Sequence, residues 1–189
     1  GGTDLEEYHK QYDGYSISAT IDKFTFVAAK LRADKTYQGL SPDYHTYFSS
    51  KKLQGIRPKL GHEIAITSLR EMNFSRGIDM FFSADVAPGS GLGASSSLAS
   101  NIVNIILKLQ KKKWSKHKIA MKVFRIGHDV LKWGIGKQDE FAAVFGGFNM
   151  YKFSKNNVTV TPIQLNKSTL REFEKNSMLF FLGERKASS

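Results

Sequence analysis

Segments with a strand pattern and segments with a helix pattern follow one another along this chain. Residues 15–31 (YSISATIDKFTFVAAKL) alternate roughly between apolar and polar side chains and are rich in β-branched and aromatic residues, which predicts one long strand or two paired strands. Shorter strands are expected further along the chain. They are predicted within residues 34–50, at 77–84, and in the second half at 148–153, 158–163 and 178–182.

Four other segments repeat their apolar residues at the spacing of a helix. They are residues 60–73, 94–111 and 116–131, with a shorter helix near 168–176. The apolar faces consist of Ile64, Leu69 and Met72 in the first segment, of Leu98, Ile102, Ile105, Ile106 and Leu109 in the second, and of Ile119, Val123, Ile126 and Val130 in the third. Because strands and helices are mixed, the sequence predicts an α+β or α/β class.

The composition supports one globular domain. Of the 189 residues, 41% are hydrophobic, which is enough to bury a core at this length. There is no cysteine, so disulfides and thiolate metal sites are excluded. The longest apolar runs fall far short of the roughly 20 residues that cross a bilayer, and no signal peptide is visible. We therefore predict a cytoplasmic protein with no membrane partner.

The charge favours an anionic partner. The chain has 28 Lys and Arg against 17 Asp and Glu, a net charge of +11, which suits nucleic acid or a phosphorylated small molecule. No helix-turn-helix, zinc-finger or aromatic RNA-binding motif is present, and the basic residues are dispersed. The one dense basic cluster, residues 111–118, is interpreted as a solvated connection between two helices. Nucleic acid is therefore not the predicted partner.

The segment PGSGLGASSS (residues 88–97) follows a predicted strand and opens a predicted helix. Its glycines allow positive φ angles and a close backbone approach, and the N–H groups that begin the helix can bind an anion. Its hydroxyls can cap the helix, donate to phosphate oxygens or bind Mg²⁺. A flexible surface turn explains the same composition. The segment lacks the Gly-Lys-Ser/Thr of a Walker A loop and the companion motifs of protein kinases.

A second polar segment lies in GIGKQDEFAAVFGGFN (residues 134–149), where Lys137, Gln138 and Asp139 follow a glycine turn. Such an aspartate can accept or orient a hydroxyl proton during phosphoryl transfer. The alternative is an ordinary surface ion pair between Lys137 and Asp139, which contributes little energy. Taken alone, the segment favours this ion pair over a catalytic role.

Taken together, these segments resemble the GHMP kinase superfamily. PGSGLGASSS resembles its phosphate loop, Pro-x-x-x-Gly-Leu-Gly-Ser-Ser, but has Ala94 where serine is usual. IGKQDEFAAVFGGFN, with GGTDLEEY at the start and ATIDKF at 19–24, resembles the branch of heptose 7-phosphate kinase-like sugar kinases. The resemblance implies an α+β fold similar to the second domain of ribosomal protein S5. It makes residues 1–180 an N-terminal, ATP-binding domain, with a first strand expected before Gly1. Residues 181–189 would begin the connection to a C-terminal domain absent from this chain.

The resemblance also implies roles for individual residues. The residues expected to surround the ATP phosphates are Pro88, Gly89, Ser90, Gly91, Leu92, Gly93, Ala94, Ser95, Ser96 and Ser97. Ser95 would bind Mg²⁺, with Asp129 as the candidate carboxylate. Asp139 would act as catalytic base or orient the acceptor hydroxyl, and Lys137 would offset charge nearby. The residues expected at the sugar are Thr3, Asp4, Gln138, Gly146 and Gly147.

The sequence thus predicts a kinase that uses ATP and Mg²⁺ to phosphorylate a hydroxyl of a sugar or sugar phosphate. The alternative is a sensor of the same fold that binds sugar or nucleotide without turnover, or an inactive fragment. Ala94 in place of the usual serine, and Asp129 at a position where the family commonly has glutamate, favour the alternative. The full glycine set, Lys137 and Asp139 favour the enzyme.

Overall fold

The structure is a computed structural model, and it describes residues 2–155 and 157–180. The strands are β1 (Gly14–Ala19), β2 (Thr25–Leu31), β3 (Tyr37–Ser41), β4 (Thr46–Ser50), β5 (Ile78–Ala84), β6 (Phe148–Ser154) and β7 (Asn157–Pro162). The helices are α1 (Glu6–His9), α2 (Glu63–Glu71), α3 (Ala94–Leu109), α4 (Lys116–Arg125), α5 (Gln138–Phe145) and α6 (Lys167–Lys175). Strands and helices are mixed, and the predicted α+β class is confirmed.

The strands form two sheets. One is antiparallel, with the order β1-β6-β7, and the other has the order β2-β5-β3-β4, in which only β3 and β5 run parallel. Residues 15–31 do contain two strands, but the two are not paired with each other. β1 pairs with β6, and β2 pairs with β5, because the chain crosses from one sheet to the other between Ala19 and Thr25. Alternation along a strand does not specify its partner.

The main core lies between the four-stranded sheet and the helices. α3 contacts β2 and the helices α2, α4 and α5. The predicted helix faces supply much of this core, since Leu69, Ile102 and Ile106 are fully buried. Each such side chain stabilises the fold by roughly 1.5–3 kcal/mol relative to an exposed one. A smaller cluster is built around Phe141, Tyr151 and Phe153, where α5 meets the three-stranded sheet.

Four predicted apolar positions are less buried than expected. Leu98, Ile105 and Leu109 are only partly buried on α3, and Val130 is 44% exposed. α4 ends at Arg125 and continues as a π-helical turn at Ile126–Val130, which changes the direction of the side chains that follow. The face predicted from a regular helical repeat therefore ends at Ile126, which is buried.

The last predicted elements are found in part. The short helix is confirmed as α6, and the Asn166 side chain caps it by accepting from the Thr169 amide. Residues 178–180 are not in a strand, and the rest of the strand predicted at 178–182 lies outside the described residues. No helix in the described part of the chain is long and apolar enough to cross a membrane.

Candidate functional site

The glycine loop joins the end of β5 to the start of α3. Gly89, Gly91 and Gly93 have φ angles of 73°, 74° and 70°, so all three adopt the left-handed conformation that the sequence predicted. Gly93 is the N-cap of α3, and Ala94 is its first residue. A helix of 16 residues thus begins at the loop, with the free N–H groups of its first turn next to these glycines.

The serines of the loop have different surroundings. Ser95 is exposed in the first turn of α3. Ser96 is buried, and its hydroxyl lies 3.1 Å from Oε1 of Glu140, to which it donates. The Ser97 hydroxyl lies 2.9 Å from that of Thr25 on β2. Ser95 is therefore the member of this run whose side chain is open to a ligand, while the other two fasten the start of α3 to its neighbours.

Asp139 lies beside the loop. It is in the first turn of α5, and a Cβ placed on Gly93 would be 3.8 Å from its Cγ and Oδ2 atoms. Residues 46 positions apart in the sequence are thus neighbours in space.

The N-terminal segment packs against the start of α5. Oδ2 of Asp4 accepts from the Gln138 amide at 3.2 Å, and the Asp4 carbonyl accepts from the Lys137 amide at 3.4 Å. Thr3 is fixed as well, because its hydroxyl accepts from the Tyr15 amide at 3.2 Å and donates to the Tyr15 carbonyl at 3.0 Å. Asp4 and Gln138 therefore lie next to Asp139, and Gln138 takes part through its backbone, whereas the Thr3 hydroxyl is bonded to Tyr15 on β1.

Lys137, predicted as a catalytic residue, is buried at 7% exposure. Its ammonium lies 3.3 Å from Oε1 of Glu6 and 3.3 Å from Nε2 of His9, both on α1. It also lies 5.2 Å from the centre of the Phe124 ring. The charge of Lys137 is thus engaged inside the protein, under the N-terminal segment.

Gly146 and Gly147 lie at the other end of α5. Their φ angles are 65° and 79°, and Gly147 exchanges hydrogen bonds with Thr20 at the end of β1. At 1.5 Å per residue, Gly146 lies about 10 Å along the helix axis from Asp139. The structure does not bring these two glycines together with Asp4 and Asp139, because α5 separates them.

Asp129 lies in the π-helical turn after α4. Its Oδ1 atom is 2.8 Å from Nδ1 of His128, and its side chain is 55% exposed. Within the described residues, no three His, Asp or Glu side chains are grouped so as to hold a metal ion by themselves.

Comparison with known proteins identifies the family. The model of the GHMP kinases N terminal domain matches residues 60–147, which include both the glycine loop and the Asp139 turn. Over 187 residues, 96% of this chain, the sequence is 30% identical to a D-glycero-alpha-D-manno-heptose 7-phosphate kinase from Campylobacter jejuni. Residues 60–147 belong to the GHMP kinases N terminal domain family. The chain spans 55% of the length of the Campylobacter jejuni relative.

Solved structures place this GHMP kinase domain in the same fold. A D-glycero-D-manno-heptose 1-phosphate kinase from Bacteroides thetaiotaomicron superimposes with a TM-score of 0.85 at 23% identity, over 92% of this chain and 59% of that one. Galactokinase from Lactococcus lactis, solved with galactose, gives a TM-score of 0.70 at 18% identity, over 86% of this chain and 45% of that one. At these identities the likeness shows the fold.

Glu140 of this GHMP kinase domain was not predicted as a site residue. It is 2% exposed, and its Oε2 atom has no hydrogen-bond partner in the described part of the chain. Burial raises the pKa of Glu140 to about 7, the negative charges of Asp139 and Asp4 act in the same direction, and the bond from Ser96 opposes them. One sequence signal could have pointed to Glu140: it is an acidic residue directly before Phe141, and Phe141 is buried on the inner face of α5.

Proposed function

We propose that this chain is the ATP-binding part of a kinase that phosphorylates a hydroxyl of a sugar or sugar phosphate. One observation carries the proposal: the Asp139 carboxylate lies beside Gly93, the glycine that begins the helix of the loop. A carboxylate at that position can take the proton of a hydroxyl group that is to be phosphorylated, next to phosphates bound at the loop. The name of the Campylobacter jejuni relative supports the same class.

In the proposed reaction, the acceptor oxygen attacks the γ-phosphorus of ATP, and the bond from that phosphorus to the ADP oxygen breaks. The acceptor proton passes to the Asp139 carboxylate. The first turn of α3 stabilises the phosphate charge, because the first N–H groups of a helix have no partner within the helix and lie at the positive end of its dipole. The proposed phosphate-binding residues are Pro88, Gly89, Ser90, Gly91, Leu92, Gly93, Ala94, Ser95, Ser96 and Ser97.

Mg²⁺ fits the donors at this loop. Mg²⁺ prefers oxygen ligands and is usually held by one or two carboxylates together with substrate phosphates. The exposed hydroxyl of Ser95 is such a donor at the start of α3. We propose Ser95 and Asp129 as the protein ligands. The ion would neutralise charge on the phosphates during transfer.

The sugar would be held by the segment that packs on the start of α5. Asp4 is fixed there by two amides, so its carboxylate can accept hydrogen bonds from sugar hydroxyls in a set orientation. Thr3 and Gln138 belong to the same surface. Gly146 and Gly147 would serve only an acceptor long enough to reach along α5. A heptose 7-phosphate is the proposed acceptor, on the basis of the relative's name.

The test is the release of ADP by the complete polypeptide that carries this chain. The assay would contain Mg²⁺, ATP and one acceptor at a time, namely heptose 7-phosphate, heptose 1-phosphate, galactose, fucose, mannose or mevalonate. We expect turnover with a heptose phosphate. Binding of nucleotide or sugar without turnover of any acceptor would support the sensor interpretation instead.

Substitution of Asp139 tests its role directly. Asp139→Asn removes the proton acceptor at almost constant shape, so kcat should fall on the order of 10²-fold or more. Asp13→Asn is the matched control, because Asp13 is bonded to Lys152 and Ser154 at the edge of the three-stranded sheet. Wild-type turnover by Asp139→Asn would exclude Asp139 as the base.

A further inference from the structure

We infer that Lys137 is a positioning residue, which fastens the N-terminal segment that carries Asp4 to the start of α5. It acts through Glu6 and His9 on α1 and does not contact the phosphates. The inference rests on the proposed function in one respect, since it assigns Asp4 to the sugar. The evidence is the geometry of a buried cluster that the proposed reaction leaves without a role.

The ammonium of Lys137 has two polar partners on α1. It lies 3.3 Å from the Glu6 carboxylate and 3.3 Å from the His9 imidazole, with the Phe124 ring on another side. Burial and the charge of Lys137 lower the pKa of His9, so its ring is neutral at pH 7 and Nε2 can accept from the ammonium. The charge of Glu6 is retained, because Lys10 and Lys137 both lower the pKa of its carboxyl.

α1 depends on this contact for its place. It has four residues, and a helix of that length is not stable without tertiary contacts. His9 is 2% exposed and stacks on Phe153 with 6.4 Å between ring centres. His9 and Glu6 thus attach α1 to the body of the protein, and Lys137 bonds to both of them.

The same turn of chain holds Asp4. The Lys137 and Gln138 amides donate to the Asp4 carbonyl and carboxylate, and a Cβ on Gly136 would come within 1.9 Å of Oδ2 of Asp4. The Lys137 side chain is bonded to α1, and the Lys137 and Gln138 amides are bonded to Asp4. Both sets of bonds therefore hold the N-terminal segment to the start of α5. Release of α1 would loosen Asp4 relative to Asp139, two residues beyond Lys137.

The glycine loop is attached independently. Ser96 bonds to Glu140 and Ser97 to Thr25, so the start of α3 does not depend on α1. Loss of the Lys137 contacts should therefore weaken the site for the sugar and leave the site for ATP intact. Residues that bind phosphate directly would show the opposite pattern.

The experiment compares Lys137→Met, Glu6→Gln and the double variant in the complete polypeptide. Lys137→Met keeps a long apolar side chain, and Glu6→Gln keeps the shape of the partner. We expect each to raise KM for heptose 7-phosphate about tenfold and leave KM for ATP within about twofold. The double variant should be no worse than the more severe single one, because both break the same contact. Lys116→Met is the control, since Lys116 bonds to the Phe145 carbonyl at the far end of α5.

Two kinetic results would overturn the inference. If Lys137→Met lowers kcat a hundredfold while Glu6→Gln behaves like the unmodified protein, Lys137 contacts the reacting groups. If neither variant changes KM for the sugar phosphate, the cluster does not position the acceptor site. Should Lys137→Met fail to fold, Glu6→Gln alone tests the inference, and an unchanged KM for the sugar phosphate in that variant would overturn it.

Hydrogen exchange separates this inference from the proposed function. The Lys137 and Gln138 amides both donate to Asp4, so their exchange without ligand should accelerate at least tenfold in Lys137→Met and in Glu6→Gln, but not in Lys116→Met. This readout needs no turnover and stands even if no acceptor is phosphorylated. Unchanged exchange of both amides in both variants would refute the positioning role.

Discussion

Glu140 is a carboxyl group at a position where the packing favours an apolar side chain. It lies next to Phe141 in α5, with one oxygen bonded to Ser96 and the other buried without a partner in the described residues. Removing a charged carboxylate from water is costly, and here the cost is expressed as a pKa raised to about 7. Glu140 links the helix of Asp139 to the helix of the loop at a cost in stability that grows as the pH rises from 4.5 towards about 7.

The expected consequence is a pH-dependent gain in stability from Glu140→Gln. A raised carboxyl pKa costs nothing below the unfolded value of 4.5, and the cost grows as the pH rises towards about 7. Glutamine stays neutral and can still accept from Ser96. Glu140→Gln should therefore match the unmodified protein at pH 4.5 and exceed its free energy of unfolding by about 3 kcal/mol at pH 8. Urea unfolding at several pH values measures this.

The control for this experiment is Glu172→Gln on α6, where the side chain is exposed. It should leave the pH dependence of stability unchanged. If Glu140→Gln and the unmodified protein differ equally at pH 4.5 and pH 8, the buried carboxyl is not the origin of the effect.

At the scale of elements, the junction between the loop and α3 depends on Gly93. Its φ of 70° is strained for any residue with a Cβ, at a cost of roughly 1–2 kcal/mol. The added methyl would meet the Asp139 carboxylate at 3.8 Å, an ordinary contact, so Gly93→Ala should still fold. We expect it to weaken ATP binding at least tenfold, because the first amides of α3 shift. Calorimetric titration with ATP measures this.

Gly55→Ala is the matched control for the loop substitution. A Cβ on Gly55 meets no atom within 4 Å, and its φ is not in the left-handed region. It should bind ATP like the unmodified protein. Equal ATP affinity in Gly93→Ala and Gly55→Ala would mean that the loop conformation does not form the phosphate site.

The sequence predicted those elements whose signal is local. α3 was expected because its apolar residues repeat at helical spacing, and the left-handed glycines because only glycine adopts that conformation without strain. The partners of β1 and β2 could not be predicted, since pairing joins residues such as Ile17 and Met150 that are far apart in the sequence. Val130 was misplaced because a π-helical turn interrupts the regular repeat.

At the scale of the whole molecule, the candidate site depends on contacts between distant segments. The contact between Asp139 and Gly93 and the hydrogen bond between Asp4 and Gln138 bring together the N-terminal segment, the glycine loop and the start of α5. The spacing of residues in the sequence does not predict either contact. The resemblance to a family supplied the expectation that these motifs work together. It did not supply Glu140 or the partners of Lys137, because their roles depend on burial, which a motif does not record.

This arrangement predicts that nucleotide binding and acid–base chemistry can be separated. ATP should bind to the loop amides, so at 100 times its dissociation constant it should stabilise the protein by about 2.7 kcal/mol. For a chain of 189 residues this corresponds to a rise in Tm of roughly 5–10 °C. Asp139→Asn should keep this rise, because Asp139 acts on the acceptor, whereas Gly93→Ala should lose most of it. Thermal unfolding with and without MgATP measures both. If Asp139→Asn loses the stabilisation together with turnover, its carboxylate belongs to the nucleotide site, and the acceptor proton must pass to another group.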